Sequence, residues 1–251
     1  MRKLLKLFFV GCCLFSTAYV FADSAAYVFA EPNFNLSLNK KTLRIYHDSG
    51  TYDKQIAEMI ANAEKYLNER LSQAPVNSHK MAIVYDIDET SLSNYSRMLE
   101  NDFGGPPSYV AETVKGDSAV PILPTRALYR KAHAKGIAQF FITGRYENLR
   151  ETTIRNLKRL GYADWQGLYL EPTGSHYKTA ADFKAQIRKK LIEAGYDIVL
   201  NIGDQCSDLA DSKPLATPAS KQIQLPAVCG GQVGAYEDHA IKLPNPYYFA
   251  D

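Results

Sequence analysis

Carboxylates stand at positions in this chain where they can act on a charged substrate. Asp86-Ile87-Asp88-Glu89-Thr90 sets two aspartates one residue apart, directly after the apolar run Ala82-Ile83-Val84-Tyr85. Thr143-Gly144-Arg145 follows Gln139-Phe140-Phe141-Ile142, and Gly203-Asp204 follows Ile198-Val199-Leu200-Asn201-Ile202, with Asp208 shortly beyond. Lys178 stands where a later helix opens. Such a set contains a carboxylate able to act as nucleophile or acid, oxygen ligands for a hard cation, and a hydroxyl with an ammonium for an oxyanion. Each piece alone has a plainer meaning. An Asp-x-Asp pair is common in turns and helix caps. Thr143-Gly144-Arg145 reads equally as a strand-to-helix turn capped by Thr, and Arg145 either approaches an anion or makes a surface ion pair. Lys178 alone is a solvated lysine, and Asp204 with Asp208 alone are a cap and a first-turn charge. The case rests on all of them arriving together.

Their positions follow from the elements around them. Short continuous apolar runs bounded by turn signals suit strands buried on both faces of a parallel sheet, here at 82–85, 139–142, 168–170 and 198–202. Helices alternate with them. Ile56, Met59, Ile60, Ala63, Leu67 and Leu71 recur at helical spacing, and Ala74-Pro75 closes that helix. Pro124 opens a second helix and Gly136 stops it; residues 146–160 form a third, closed by Gly161. Phe183, Ile187 and Leu191 mark the buried stripe of a fourth, ended by Gly195. The alternation predicts an α/β fold, an open, mostly parallel sheet with helices on both faces. In such a sheet ligands bind beyond the carboxyl ends of the strands, where Asp86, Asp88, Thr143, Asp204 and Asp208 are expected. Residues 23–50 read as an extended lead-in, 91–123 as a small inserted cap, and 211–245, rich in Pro and Gly, as a long surface excursion.

The 251 residues, 46% hydrophobic and 22% charged, suit a globular protein with one sizeable core. Arg2, Lys3 and Lys6 precede an apolar run from Leu7 to Val20, followed by Val20-Phe21-Ala22. This is the pattern of a signal peptide over residues 1–22, with 23–251 as the mature domain. Ala30 offers a second cleavage site, and Phe9-Val10-Gly11-Cys12 an imperfect lipobox for an outer-membrane lipoprotein. The apolar run is short for a membrane-spanning helix of about 20 residues. Removing Arg2, Lys3 and Lys6 takes the formal net charge from +2 to −1, so no basic field for a nucleic acid polymer remains. The cysteines left after Ala22 are Cys206 and Cys229, at no zinc-like spacing; sequence leaves open a disulfide or two thiols. The histidines at 47, 79, 133, 176 and 239 lack metal-ligand spacing. Tyr95, Phe103 and Tyr109 fall in the expected cap, either as its packing or as stacking surfaces for a nucleobase.

Taken in order, Val84-Tyr85-Asp86-Ile87-Asp88-Glu89-Thr90, Phe141-Ile142-Thr143-Gly144-Arg145, Tyr177-Lys178-Thr179, Ile202-Gly203-Asp204-Gln205-Cys206-Ser207-Asp208-Leu209 and Lys242-Leu243-Pro244-Asn245-Pro246-Tyr247-Tyr248 resemble the haloacid-dehalogenase (HAD) superfamily acid phosphatases of its third subfamily. That group includes bacterial class B and C enzymes and plant acid phosphatases related to vegetative storage proteins. The resemblance runs from about Tyr46 to Tyr248. It implies a Mg²⁺-dependent phosphomonoesterase in which Asp86 attacks phosphorus and Asp88 serves as acid, then base. It further implies that Thr143, Gly144 and Lys178 bind the phosphoryl oxygens together with Asp88. Mg²⁺ would be held by Asp86, the Asp88 backbone carbonyl and Asp204, with Asp208 in support. The substrates implied are phosphate monoesters, nucleotides among them, and the location periplasmic or secreted. Phosphotransfer and a non-catalytic storage role are the alternatives; relatives of the storage kind are expected to lack the nucleophile present here as Asp86. Cys206 departs from the Trp usual in plant-like members, and 211–241 is longer than the usual connection.

Overall fold

The computed structural model describes residues 35–73, 80–104, 108–116, 118–174, 177, 179–209, 234–236 and 240–248. Residues up to Thr42 and residues from Leu43 onward form two compact units. Helix α1 (Leu36–Asp48) begins in the first, where Asn35 Oδ1 accepts from the Leu38 N–H at 3.0 Å. The extended lead-in expected at 23–50 is thus helical over its last part. No residue of α1 is fully buried, though Leu43 and Tyr46 are partly buried against the core, and the capping Asn35 was a further signal.

Among its described residues the second unit is built on six strands in the order β5-β4-β1-β6-β8-β7. These are β1 (Lys80–Tyr85), β4 (Ala138–Tyr146), β5 (Gly167–Glu171), β6 (Tyr196–Gly203), β7 (Gly234–Tyr236) and β8 (Ala240–Lys242). All pairings are parallel except β7 with β8. Strand β1 shows why its run is continuously apolar. Ile83 and Tyr85 enter a core with Tyr52, Ile56, Ile60, Ala63 and Leu67 of α2 (Thr51–Gln73), Leu128, Tyr129 and Ala132 of α5 (Leu123–Ala134), and Leu157 of α6 (Arg150–Arg159). Ala82 and Val84, one step out of phase, face Phe183, Ile187 and Leu191 of α7 (Ala180–Glu193). Side chains alternate across the sheet, so a strand covered on both faces must be apolar at every position. Helix α7 ends before Gly195, which supplies a φ of +86°.

Connectivity sets the position of the site. From β1 the chain crosses to β4 and β5 on one side, then returns through α7 to β6 on the other. The carboxyl end of β1 is therefore the point where strand order reverses, with β4 and β6 on its two flanks. Two features differ from expectation. Residues 234–236 and 240–242, within the stretch read as a surface excursion, extend the sheet beyond β6; strands of three residues are too short to show a period of two. Strand β4 also runs on through Thr143, Gly144 and Arg145 to Tyr146, where the sequence suggested a turn and a helix from 146.

Residues 91–123 hold β2 (Leu92–Ser93), α3 (Tyr95–Glu100), α4 (Ser108–Lys115) and β3 (Val120–Pro121). Strands β2 and β3 pair antiparallel, and the Ile122 N–H donates to Ser91 O at 3.0 Å, so the excursion leaves and returns at one place. No helix among the described residues is long and apolar enough to cross a membrane. Cys206 is disulfide-bonded; residues 1–34, with the expected signal segment, and Cys229 lie outside the described residues.

Candidate active site

Asp86 is the first residue past β1, and its N–H donates to Ile202 O of β6 at 3.0 Å, fixing it at the reversal point. The turn that follows is held from within. Ser91 Oγ donates to Asp86 O at 2.7 Å, and Glu89, in the left-handed region at φ 53°, accepts from the Asn94 N–H at 2.7 Å. Asp204 leaves β6 in the same way. Asp208 lies in the short 3₁₀ turn Cys206–Asp208 and accepts from the Gln205 N–H at 2.9 Å, which caps that turn. One ligand oxygen each from Asp86, Asp204 and Asp208 falls within 4.8 Å of the others, and all three residues are buried.

Gly203 makes this convergence possible. A Cβ on Gly203 would stand 2.0 Å from the Asp208 Cβ and 2.4 Å from its Cγ. The Asp208 carboxylate occupies the space that any side chain at 203 would fill.

Among the described residues the cation at these carboxylates is Lys184, on α7. Its Nζ donates to Asp86 Oδ1 at 2.9 Å and to Asp208 Oδ1, and its side chain is 6% exposed. Burial disfavours an ammonium, yet Asp208 and Asp86 together hold its proton more tightly than water would. Asp86 is pushed well above the ordinary carboxylate range by burial and then by repulsion from Asp208, which Lys184 only partly offsets. Burial and Asp208 likewise push Asp204 up to about 6, against hydrogen bonds from Asn245, Thr90 and Gln205. Among the described residues Asp86 and Asp208 share one ammonium, with the Asp204 carboxylate beside them, and this excess of acidic oxygens suits a divalent cation. The donor set fits Mg²⁺.

Asp88 has different company. Arg145, its side chain 1% exposed, grips it with two nitrogens: Nε to Oδ2 at 2.8 Å and Nη2 to Oδ1 at 2.6 Å. Asn94 Nδ2 adds a bond to Oδ1 at 2.7 Å. Burial alone would raise the Asp88 carboxyl, but the Arg145 guanidinium and these donors hold it below the usual range. Arg145 reaches Asp88 because the β4–β5 register slips between Thr143 and Tyr146, and such an irregularity re-aims side chains. Its ion pair is therefore buried, not the surface pair that the sequence offered as one of two roles.

Asp86, Asp88, Asp204 and Asp208 thus share one sheet edge. Thr143 is buried on β4 beside β1, its Oγ1 accepting from the Arg145 N–H at 3.2 Å, while Gly144 is exposed. Lys178 lies outside the described residues. Sequence reasoning passed over Lys184 and two of the residues that brace Asp204, Gln205 and Asn245. Thr90 Oγ1 donates to Asp204 Oδ1 at 2.8 Å, and Gln205 Nε2 and Asn245 Nδ2 donate to Oδ2 at 2.7 and 2.8 Å. A signal for Lys184 was present: it stands with Phe183, Ile187 and Leu191 on the buried stripe of α7, where a lysine needs a partner.

Residues 28–251 match the sequence model of the HAD superfamily, subfamily IIIB (acid phosphatase). Vegetative storage protein 1 of Arabidopsis thaliana is 32% identical over 170 residues, covering 66% of this chain and 54% of that protein. Acid phosphatase 1 of Solanum lycopersicum is 32% identical over 172 residues, covering 66% and 58%. The chain thus spans little more than half the length of these relatives. A class C acid phosphatase from Bacillus anthracis shares the fold at a TM-score of 0.62 and 21% identity, over 84% of this chain and 86% of that one.

Proposed function

Since this chain belongs to subfamily IIIB of the HAD superfamily, the acid phosphatase family, we propose that it hydrolyses phosphate monoesters with Asp86 as covalent nucleophile. The observation that carries the proposal is the buried Asp86 carboxylate at the strand-order reversal, bonded to Lys184 and grouped with Asp204 and Asp208. Asp86 attacks phosphorus in line with the ester oxygen. A P–O bond forms to the Asp86 carboxylate as the bond to the leaving oxygen breaks, giving an aspartyl-phosphate. Asp88 donates a proton to the departing alkoxide, then takes one from the water that attacks the aspartyl-phosphate, releasing inorganic phosphate and restoring Asp86.

Asp88 starts from an ionised, Arg145-paired state. A phosphate dianion arriving beside it raises its proton affinity by like-charge repulsion, so Asp88 takes up a proton from solvent as substrate binds and passes that proton to the leaving oxygen. Arg145 meanwhile keeps the carboxyl in one orientation through its two-point grip. Lys184 supports the charge on the transferring phosphoryl group, the role that the sequence resemblance gave to Lys178, and Thr143 donates to a phosphoryl oxygen. Asp86, Asp204 and the Asp88 backbone carbonyl would hold Mg²⁺, with Asp208 in support. The ion would supply charge neutralisation between the nucleophile and an anionic substrate.

The Arg2–Ala22 segment supports export to the periplasm or beyond, with lipidation at Cys12 the alternative. Transfer of the phosphoryl group to an alcohol in place of water would use the same residues; glycerol phosphate formed in the presence of glycerol would reveal it. Vegetative storage proteins among the relatives favour a storage role as a second reading, against which the intact carboxylate set argues.

Asp86→Asn is expected to abolish hydrolysis of p-nitrophenyl phosphate without loss of fold. Chelation is expected to silence the wild type, and Mg²⁺ to restore it. Full activity in purified Asp86→Asn protein would overturn the nucleophile assignment.

A further inference from the structure

The C-terminal segment reaches both loops of the site. Leu243 N–H donates to Gly203 O at 2.8 Å, extending the β6–β8 pairing up to the residue before Asp204. Lys242 Nζ donates to Asp204 O at 3.1 Å. Asn245 Nδ2 then donates to Asp204 Oδ2 at 2.8 Å, while its own Oδ1 accepts from the Tyr247 N–H at 3.0 Å. Farther on, Tyr248 Oη donates to Glu89 Oε2 at 2.7 Å, on the loop of Asp86 and Asp88. Between these contacts Tyr247 packs among Tyr52, Tyr95 and Phe103, with ring centroids 5.5 to 6.1 Å apart.

A carboxylate offers about four lone-pair positions, two on each oxygen. Gln205 and Asn245 occupy both on Asp204 Oδ2, and Thr90 occupies one on Oδ1. Among the described residues one position on Oδ1 is left. The donors therefore fix which oxygen of Asp204 remains available and which way it points.

We propose that Asn245 is a positioning residue for the metal site. From the C-terminal segment it locks the Asp204 carboxylate so that Oδ1 alone is presented to a divalent cation. The proposal rests on the reading of Asp204 as a Mg²⁺ ligand. Outer partners that orient metal ligands affect affinity as strongly as this, with losses of about 10–100-fold when they are removed.

The test is Mg²⁺ titration by calorimetry on the purified full chain and on Asn245→Ala, Asn245→Ser, Asp204→Asn and Tyr247→Phe variants. Far-ultraviolet circular dichroism in EDTA checks the fold of each. Ser at 245 keeps a side-chain oxygen for the turn at Tyr247 yet falls short of Asp204, which separates the brace from the turn. Both Asn245 variants are expected to bind Mg²⁺ about 10–100-fold more weakly, with kcat recovered at saturating Mg²⁺. Tyr247→Phe removes a hydroxyl without a hydrogen-bond partner among the described residues and should bind like the wild type. Wild-type affinity in folded Asn245→Ala and Asn245→Ser, with binding lost in Asp204→Asn, overturns the positioning role alone. Failure of the wild type to bind Mg²⁺, or full binding by Asp204→Asn, overturns the ligand reading and this role with it.

Discussion

Replacing Lys184 by Met tests the electrostatics of the site most directly. Methionine keeps the length and apolar stem of the side chain and deletes the ammonium that bridges Asp86 and Asp208. Removing one partner of a buried ion pair costs about 3–5 kcal/mol, because the other charge stays buried and uncompensated. In a domain of this size each kcal/mol moves Tm by about 2–4 °C, so metal-free Lys184→Met should melt roughly 6–20 °C below wild type near neutral pH. The pH dependence of that deficit follows from the carboxylates. The folded-state pKa of Lys184 is raised above its unfolded value, so its contribution persists below the unfolded pKa of about 10.4 and is lost only as pH rises through the folded value. Wild-type Lys184 is therefore charged across pH 5–8, whereas Asp86 in the mutant sheds its excess charge by taking up a proton at low pH. The Tm gap should narrow as pH falls from 8 to 5. Activity should drop by about 10²–10³ in kcat at saturating Mg²⁺, the usual loss for a preorganised donor to developing negative charge. Calorimetry in EDTA and p-nitrophenyl phosphate hydrolysis measure both, with Lys178→Met alongside. Wild-type kcat in Lys184→Met together with an inactive Lys178→Met would refute the assignment of the phosphoryl-binding charge to α7.

Two further outcomes are expected. Gly203→Ala places a Cβ 2.0 Å from that of Asp208, so Asp208 must move and release Lys184. Displacements of about 1 Å cost on the order of 10²-fold in rate, and kcat near the wild-type value would show the packing at Gly203 to be unimportant. In the metal-free protein, Glu89 is pushed up to about 8 by burial and by repulsion from Asp88 and Asp204, and Asp204 up to about 6. Both folded-state values exceed the unfolded ones, so the native state keeps protons that the unfolded chain has released, and stability falls as pH rises from 5 to 8. Asp88, shifted downward, is ionised throughout that window and contributes no slope. Thermal melts in EDTA should show Tm falling from pH 5 to pH 8, with the slope reduced by Mg²⁺; a rising Tm would contradict the burial of Glu89 and Asp204.

How legible the site was in sequence depended on how its residues are delivered. Asp86, Thr143 and Asp204 each closely follow a continuous apolar run, and in a parallel sheet the end of a run is the end of a strand, as at β1 and β6, or lies near it, as at β4, which runs on to Tyr146. One local pattern thus yields both the element and the edge of the sheet, which is why the fold and its acidic rim were readable. Lys178 was chosen by the same logic of local adjacency, from Tyr177-Lys178-Thr179 at the opening of α7. Lys184 lies further along that helix and is selected by rotation about the helix axis: only the face shared with Phe183 and Ile187 turns toward Asp86. Periodicity held that information, as a basic residue, with Arg188 one turn on, among the buried positions of a largely apolar face.

The braces of Asp204 are less legible for a physical reason. Thr90 and Asn245 are 114 and 41 residues from it in sequence, and nothing in their own surroundings marks them as partners of a carboxylate. Asn245 sits in Pro244-Asn245-Pro246, where a turn explains its presence, and its Oδ1 does serve that turn. The other end of the same amide, Nδ2, is directed at Asp204. A side chain with two functional ends leaves only its local one visible in sequence. The strand pairing of β8 with β6 brings the other end to the rim, because Leu243 must bond Gly203 before Asn245 reaches the next residue. A chain ending before Leu243 would therefore keep all four aspartates in sequence while losing one of the three donors that orient Asp204.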